Sequence, residues 1–536
     1  MELGQLIEDA IYSSAQFFRQ VLMPLLRSSV WVSRIKIVVS YILGQSRDQE
    51  ESMLAAMAIL VLTVNATPVP KVTGPIPVMA DSYPFLAANR TTPTYDLSRA
   101  GYVEEEFIVT GTANVYDWFQ DGTVTVKIPN APYGTRILVR RPKDAARFSG
   151  SVIVELLFPA RRFDWAMMWG FSHDYITEHG HAWVGISLPA VADGLKKFNP
   201  NRYAAVSFAN PAPNASCGSN PAAASEDGLR WDMISQVGAL LKSNAAGRPL
   251  AGLRVQALYL TTQGSDVATY ANAIHANLEN GQPVYDGYVL KAGFSMTRLN
   301  QCAQPPLAND PRQVIKNVGA PVIEVAAQGE IIGGTLALRR PDSDEAGDRF
   351  RLYEVASAGH IDKSAYFGFP LQQDQVAAVG SAQGTVDWPF NAKCEPEIPL
   401  MEPSLMGLVF NSAFNNLDQW VKKGVPAPRA QRISLMNPGT PQDIIAIDKL
   451  GHGLGGVRTP YIDVPDVIYF TSSPGPGTCR EMGHKAPFDA ARINELYGSR
   501  RAYMNLFAET ADRLVKERWL TENDAKRIKQ MVNASN

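Results

Sequence analysis

Short apolar runs alternate with amphipathic segments from residue 151 onward, and this alternation limits the possible folds more than any other feature. The apolar runs are rich in Val, Ile, Leu and Tyr and read in order SVIVELLF, HAWVGIS, VQALYL, YDGYVLKAG, PVIEVAA and FRLYEVA. Segments of helical pattern, such as DWAMMWGFSHDYITEHG and LRWDMISQVGALLKS, lie between them. Buried strands that alternate with helices predict an α/β fold with a mostly parallel central sheet covered by helices on both faces.

A different pattern precedes this alternation. The extended runs EEEFIVTGTANVYDW, VTVKIP and TRILVRRP follow one another without intervening helices. Turn signals separate them at Asp121-Gly122 and at Pro132-Tyr133-Gly134. We therefore expect antiparallel N-terminal strands at one edge of the sheet.

Composition excludes several functional classes. The chain of 536 residues has a formal charge of −2, and its basic residues are not clustered into stripes, so no nucleic-acid or anionic-membrane partner is indicated. The sequence contains no phosphate-binding loop, dinucleotide fingerprint or metal-ligand cluster. We expect a protein that acts on a small-molecule substrate without a metal or a cofactor.

The N-terminal region divides into two segments ahead of the main domain. Residues 1–52 are expected to form an extension in which apolar residues mix with Arg and Lys as in an amphipathic segment, and residues 53–67 resemble a signal peptide that is too short to span a bilayer comfortably. The alternative is that translation begins at Met53 and that the extension lies upstream of it. Residues 68–536 are expected to form a single domain with large helical insertions and C-terminal helices, and the mature chain is expected to have no stable membrane span.

Two further features favour the secretory pathway. Asn89 and Asn214 begin N-glycosylation sequons in polar, turn-rich stretches. Four cysteines occur without C-x-x-C spacing, which disfavours a metal site and predicts one or two disulfides in a secreted protein. Four free thiols are the alternative.

Three loops that follow predicted strands carry the residues of a hydrolytic triad. The strand VQALYL leads into a turn that contains hydroxyl side chains, Glu330 follows PVIEVAA, and His360 follows FRLYEVA. Loops at the carboxyl ends of parallel strands meet at one edge of the sheet. The chain order hydroxyl, carboxylate, imidazole is the order found in α/β hydrolases, with His360 as general base and Glu330 orienting it.

From about Pro68 to the C-terminus, the chain resembles the largely uncharacterised family of "alpha/beta hydrolase domain" proteins, which often carry secretion signals. The stretches that carry the resemblance include AGYVEEEFIVTGTANVYDW, LVRRPKDAARFSGSVIVE, SHDYITEHGHAWVGIS, YANAIH, LRRPDSDEAGDRFRLYEVASAGHID and GGVRTPYIDVP. The resemblance implies an α/β-hydrolase fold with a triad of serine, acid and histidine. It supports His360, and Glu330 as the acid.

The nucleophile position departs from the family pattern, which resembles G-x-S-Q-[ST]-G. Counting back from the YANAIH segment places the family serine on Thr261, whereas Ser265 lies four residues further along. Both hydroxyls are therefore candidate nucleophiles. Thr262, Gln263 and Gly264 lie between them and are expected to contact the substrate.

The loop after SVIVELLF also departs from the family, in which a polar turn containing asparagine occurs. Here the loop reads Phe158-Pro159-Ala160-Arg161, and Pro159 has no N–H to donate to an oxyanion. Phe158 and Arg161 are candidates for the mouth of the substrate pocket. The alternative for the arginine is a solvated loop position.

Two functions are consistent with these features. The first is a secreted serine-type hydrolase of an ester or lactone of a small organic metabolite. The second is a non-hydrolytic protein of the same fold, either a cyclase, lyase or isomerase that uses His360 or a ligand-binding pseudoenzyme, because both the nucleophile and the oxyanion loop are altered.

Overall fold

The structure is a computed structural model, and it divides the chain into two units, Met1–Ala66 and Thr67–Asn536. All described residues belong to the second unit, so the N-terminal extension and most of the signal-like segment lie outside them. The described residues are 67–218, 223–275, 283–291, 296–332, 334–382, 394, 404–440, 442–475 and 477–534.

The described residues form a large mixed sheet and three small two-stranded sheets. The large sheet has ten strands in the order β1-β3-β4-β6-β5-β7-β8-β9-β11-β10. The strands, numbered along the chain, are β1 Lys71–Thr73, β2 Thr91–Thr92, β3 Tyr102–Trp118, β4 Val124–Pro142, β5 Ser151–Leu156, β6 Ala182–Ile186, β7 Ala257–Gln263, β8 Gly287–Lys291, β9 Val322–Ala327, β10 Ser343–Glu345, β11 Asp348–Val355, β12 Phe369–Pro370, β13 Leu435–Met436, β14 Ile444–Ile445, β15 Val467–Phe470 and β16 His484–Pro487.

Six neighbouring strands, β6-β5-β7-β8-β9-β11, pair in parallel. Every residue of β5, β6, β8 and β9 is buried, as expected for strands that are covered on both faces. The predicted α/β fold with a mostly parallel sheet is confirmed. The carboxyl ends of β7, β8, β9 and β11 consequently lie side by side.

Helices connect and cover these strands. The helix α6 packs against β7, β8, β9 and β11, and α3 packs against β3. The α-helices are α1 Met167–Glu178, α2 Ala192–Phe198, α3 Arg230–Lys242, α4 Ser265–Thr269, α5 Gln372–Val379, α6 Leu405–Lys423, α7 Pro460–Asp463, α8 Ala490–Tyr497, α9 Arg500–Lys516 and α10 Glu522–Ala534. Throughout the part of the chain that the structure describes, every helix is too short or too polar to cross a membrane.

The predicted antiparallel strands at the N-terminal side are confirmed, with one correction. β3 and β4 pair along almost their whole length, and the chain reverses between them around Gly122, as expected. The turn predicted at Pro132-Tyr133-Gly134 is wrong, because these residues lie inside β4 and pair with β3. Proline is tolerated there because β4 pairs with its other neighbour, β6, only from Ile137 to Arg140.

The four cysteines form two disulfides, Cys217–Cys302 and Cys394–Cys479, with Cα atoms 4.8 and 5.3 Å apart. The predicted disulfides are confirmed, and the alternative of four free thiols is excluded. Disulfides are typical of proteins that mature in an oxidising compartment. Each of these two bridges links segments 85 residues apart in the chain.

A buried ionic network holds the N-terminal strands against the parallel sheet. Arg136 on β4 donates from Nε to Glu106 Oε1 at 2.6 Å and from Nη1 to Asp164 Oδ2 at 3.2 Å, and all three side chains are fully buried. Arg202 adds a second cation, with its Nε 2.5 Å from Glu106 Oε2. Charges removed from water are tolerated only when they are paired in this way.

Substitution of Arg136 tests this network. Arg136→Met leaves Glu106 and Asp164 buried without their shared cation, and we expect a loss of about 3–5 kcal/mol in the free energy of unfolding. The matched control is Arg141→Met on the same strand, where the Arg141–Glu105 pair is partly exposed and is expected to contribute about 0–1 kcal/mol. Urea unfolding followed by tryptophan fluorescence measures both. Equal losses of unfolding free energy in the two variants would show that the buried network around Arg136 stabilises the fold no more than an exposed ion pair.

Candidate active site

The turn between β7 and α4 lies where an α/β hydrolase carries its nucleophile. Gln263 is the last residue of β7, and Ser265 is the first residue of α4. Gly264 joins them with φ of 104° and ψ of −169°, a conformation that side chains of L-residues strongly disfavour. The strained position of this strand-to-helix turn is therefore occupied by a residue that has no side chain.

The three hydroxyl side chains of this region have different surroundings. Thr261 is fully buried inside β7, and its Oγ1 contacts no hydrogen-bond partner among the described residues. Thr262 is also buried, and its Oγ1 donates to the carbonyl of Leu156 at the end of β5, 2.8 Å away. Ser265 is half-buried at the start of α4. Solvent access therefore favours Ser265 over Thr261 as a reacting hydroxyl.

Glu330 lies in the short 3₁₀ turn that directly follows β9, Gln328–Glu330. Its side chain is almost fully buried, and its Oε2 accepts a hydrogen bond from the backbone N–H of Ala327 at 2.7 Å. Its other oxygen, Oε1, lies 2.5 Å from Nδ1 of His360. The carboxylate is thus anchored to its own strand at one oxygen and faces the imidazole with the other.

His360 is in the loop after β11, and 15% of its side chain is exposed. Its Nε2 lies 3.4 Å from the amide nitrogen of Gln263. A neutral imidazole that donates from Nδ1 to Glu330 presents the lone pair of Nε2 to this amide, and the tautomer is assigned from these contacts. The Gln263 amide thus occupies the hydrogen-bonding position that the serine hydroxyl takes in a hydrolytic triad.

Packing fixes the loop that carries His360. The N–H of Gly329 donates to the carbonyl of Ala358 at 3.0 Å, which joins the loops after β9 and β11. Gly359 lies so close to the β15–β16 region that an added Cβ would be 2.6 Å from the nitrogen of Gly483. The N–H of Ile361 donates to the carbonyl of Glu481 at 3.0 Å. The backbone on either side of His360 is therefore fixed, by close packing at position 359 and by a hydrogen bond at position 361.

A third ionisable residue, Lys291, completes the group and was missed by the sequence analysis. It is the last residue of β8, its side chain is fully buried, and its Nζ contacts Glu330 Oε1. Nζ is also 3.3 Å from His360 Nδ1. The signal that identified Glu330, an ionisable residue at the carboxyl end of a buried strand, was also present for this lysine in YDGYVLKAG.

The charges of this group act on Glu330 in opposite directions. Burial alone would raise the pKa of Glu330. The adjacent Lys291 ammonium and the hydrogen bond with His360 outweigh burial and lower the pKa below its usual value. The carboxylate is therefore ionised at neutral pH and can orient the imidazole.

The loop after β5 lies beside the same turn. The ring of Phe158 would be 3.9 Å from a Cβ added to Gly264, and the backbone N–H of Phe158 donates to the carbonyl of Trp165 at 2.8 Å. Pro159 has no N–H, so neither residue offers a free donor to an oxyanion. Arg161 is half-buried in this loop.

The structure thus brings together His360, Glu330 and Gln263, and it places Gly264, Ser265 and Phe158 at the adjacent turn. The described residues contain no group of three or more His, Cys, Asp or Glu side chains that could hold a metal ion.

This arrangement of strands is that of the α/β hydrolases. The chain belongs to the family described as "Alpha/beta hydrolase domain", whose model matches residues 72–530. No curated protein matches the chain.

Several solved structures of hydrolases are similar to the chain at low identity. A lidless α/β serine hydrolase from Xanthomonas campestris is 13% identical, with 50% of this chain and 91% of that chain covered and a TM-score of 0.24. An esterase from Rhizomucor miehei is 11% identical, with coverage of 49% and 82% and a TM-score of 0.25. An α/β serine hydrolase homologue from Coxiella burnetii is 10% identical, with coverage of 41% and 82% and a TM-score of 0.22.

Removal of the Gln263 amide tests its contact with His360. Gln263→Ala frees the Nε2 lone pair, and a hydrogen bond worth about 1 kcal/mol corresponds to a roughly fivefold faster reaction of His360 with diethyl pyrocarbonate. Peptide mapping by mass spectrometry measures the rate at each histidine, and half-buried His484 serves as the internal control. A rate at His360 that does not change would show that Gln263 does not cap this nitrogen.

Proposed function

We propose that the protein is a serine-type hydrolase that acts on an ester or lactone of a small organic metabolite. His360 is the general base, Glu330 orients it, and Ser265 is the nucleophile. The proposal is supported chiefly by one observation, the 2.5 Å contact between His360 Nδ1 and Glu330 Oε1 beside the β7–α4 turn. This pairing leaves Nε2 directed to the turn that carries Ser265.

The reaction follows from these roles. Ser265 Oγ attacks the substrate carbonyl carbon while His360 Nε2 accepts the hydroxyl proton, and the resulting imidazolium is stabilised by the Glu330 carboxylate. The imidazolium then returns the proton to the leaving alcohol, and an acyl-enzyme remains. Water attacks the acyl carbonyl carbon while His360 Nε2 accepts one of its protons, and the imidazolium then protonates Ser265 Oγ as the carboxylic acid leaves. A lactone yields a hydroxy acid by the same steps.

Substrate contacts are proposed from the neighbours of the turn. Phe158 offers an aromatic face beside Gly264, and Arg161 in the same loop supplies a cation for a carboxylate or phenolate on the substrate. Thr262, Gln263 and Gly264 are proposed to contact the substrate from the side of β7. Because Phe158 and Pro159 offer no free N–H, we expect a modest rate compared with hydrolases that have a complete oxyanion hole.

We also propose that the protein is secreted and glycosylated. The two disulfides support maturation in an oxidising compartment. Asn89 and Asn214, which each begin a sequon, are both exposed. Glycosylation needs this accessibility.

A second candidate function is a reaction that forms no acyl-enzyme. Two observations favour it: Gly264 occupies the strained position of the turn without a side chain, and the Gln263 amide lies against His360 Nε2. In this case His360 removes a proton from the substrate in a cyclisation, elimination or isomerisation, or the site only binds a ligand.

Labelling with a fluorophosphonate distinguishes the two candidates. Adduct formation on Ser265, located by peptide mapping, is expected for the hydrolase. His360→Ala is expected to slow labelling by about 10²- to 10⁴-fold, because a general base typically contributes this factor. Ser265→Ala is expected to remove the adduct, whereas the control Thr261→Val is expected to retain it, since Thr261 is buried within β7.

Two results would overturn the proposed roles. An adduct that persists in Ser265→Ala and disappears in Thr261→Val moves the nucleophile to the strand. No adduct on folded wild-type protein rejects acyl chemistry and leaves the second candidate.

A further inference from the structure

Lys291 is a fully buried cation at the centre of the candidate site. Its Nζ contacts Glu330 Oε1 and lies 3.3 Å from His360 Nδ1. Lysine is almost never fully buried unless it is paired, because its ammonium loses hydration. The site therefore contains a charge that the hydrolytic roles of His360 and Glu330 do not use.

We propose that Lys291 is a positioning residue that keeps the His360–Glu330 pair free of an extra proton. The inference rests on the proposed role of His360 as a base. The lysine supplies the positive charge that balances the buried Glu330 carboxylate. The carboxylate can then stay ionised and accept a hydrogen bond from Nδ1–H, while Nε2 keeps its lone pair.

The consequence of losing this cation follows from charge balance. Without Lys291, the buried carboxylate recruits a proton instead, in one of two ways. In the first, Glu330 is protonated and donates a hydrogen bond to Nδ1, so the neutral imidazole carries its proton on Nε2. In the second, His360 becomes an imidazolium. Both forms lack the lone pair on Nε2 and are inactive as a base.

Two other buried carboxyl groups near this cluster are retained in every variant below, and each interacts with it: Lys291 lowers the pKa of Asp362, and Glu330 raises the pKa of Glu324. Burial raises the pKa of Asp362, two residues beyond His360, to about 6, and its carboxylate accepts from Ser404 Oγ at 2.6 Å. Burial also raises the pKa of Glu324, on β9, to about 7. On β7, the residue that faces His360 is the neutral Gln263.

The test is the titration of His360 in a set of charge variants. The chain has seven histidines, so protein with ¹³Cε1-labelled histidine gives few signals, and His360→Gln assigns the relevant one. In Lys291→Met, we expect the titration midpoint of the pair to move up by about 1 pH unit or more, the effect of removing a charge at this distance. Lys291→Arg keeps the charge and is expected to keep the midpoint.

Removal of the Glu330 carboxylate is expected to shift the His360 titration midpoint in the opposite direction. Glu330→Gln leaves Lys291 unbalanced beside the imidazole, so we expect the His360 midpoint to fall by about 1 pH unit or more. The double variant Lys291→Met/Glu330→Gln removes both charges, and its midpoint is expected to return towards the wild-type value.

Lys242→Met is the matched control. Lys242 pairs with Asp286, directly before β8, at 2.8 Å between Nζ and Oδ2, and both side chains are partly exposed. This variant removes a lysine–carboxylate pair at the other end of the same strand and is expected to leave the His360 midpoint unchanged.

An unchanged midpoint in folded Lys291→Met would overturn the proposal. Should that variant not fold, equal midpoints in Glu330→Gln and the double variant would overturn it, because these two differ only at Lys291. The titration needs no turnover. If only the hydrolase proposal fails, the fluorophosphonate adduct is absent while the shifts of the His360 titration midpoint are still observed. In an active enzyme, the acid limb of the pH–rate profile is expected to move upward in Lys291→Met and to return in Lys291→Arg.

Discussion

The candidate site depends on one buried carboxylate remaining ionised. Glu330 achieves this through three donors: the backbone N–H of Ala327, the Lys291 ammonium and His360. These donors come from β9, β8 and the loop after β11, which are neighbours in the sheet. The parallel arrangement brings their carboxyl ends to one edge, and the charge balance at that edge sets the imidazole tautomer. The fold and the chemistry are therefore linked through this carboxylate.

Much of this arrangement was predictable from the sequence. Apolar runs that alternate with helical patterns predicted the parallel sheet, and its topology explains why two side chains that lie 30 positions apart, Glu330 and His360, come into contact. Lys291 was not identified, because the flexible stem of a lysine at a strand end usually lets its ammonium reach water. Its burial depends on tertiary packing. The role of Gln263 was also missed, since counting along the family pattern cannot tell where β7 ends.

The remaining corrections have similar causes. Pro132 suggested a turn, but local turn propensity is overridden because β4 pairs with β3 there, and β6 does not pair with β4 at Pro132. The disulfide pairing could not be predicted from spacing, because four cysteines allow three connectivities. In both cases, the deciding contacts are between residues distant in sequence.

The pair of His360 and Glu330 is the proposed chemical centre of a hydrolase. Steady-state kinetics on a panel of p-nitrophenyl esters and aryl lactones tests it most directly, with wild type compared with His360→Gln and the control His484→Gln. For the substrates that the wild type hydrolyses, the account predicts that kcat/KM falls by about 10²- to 10⁴-fold in His360→Gln and is unchanged in the control. Equal activity in the two variants, or no hydrolysis of any panel member by folded wild type, would contradict it.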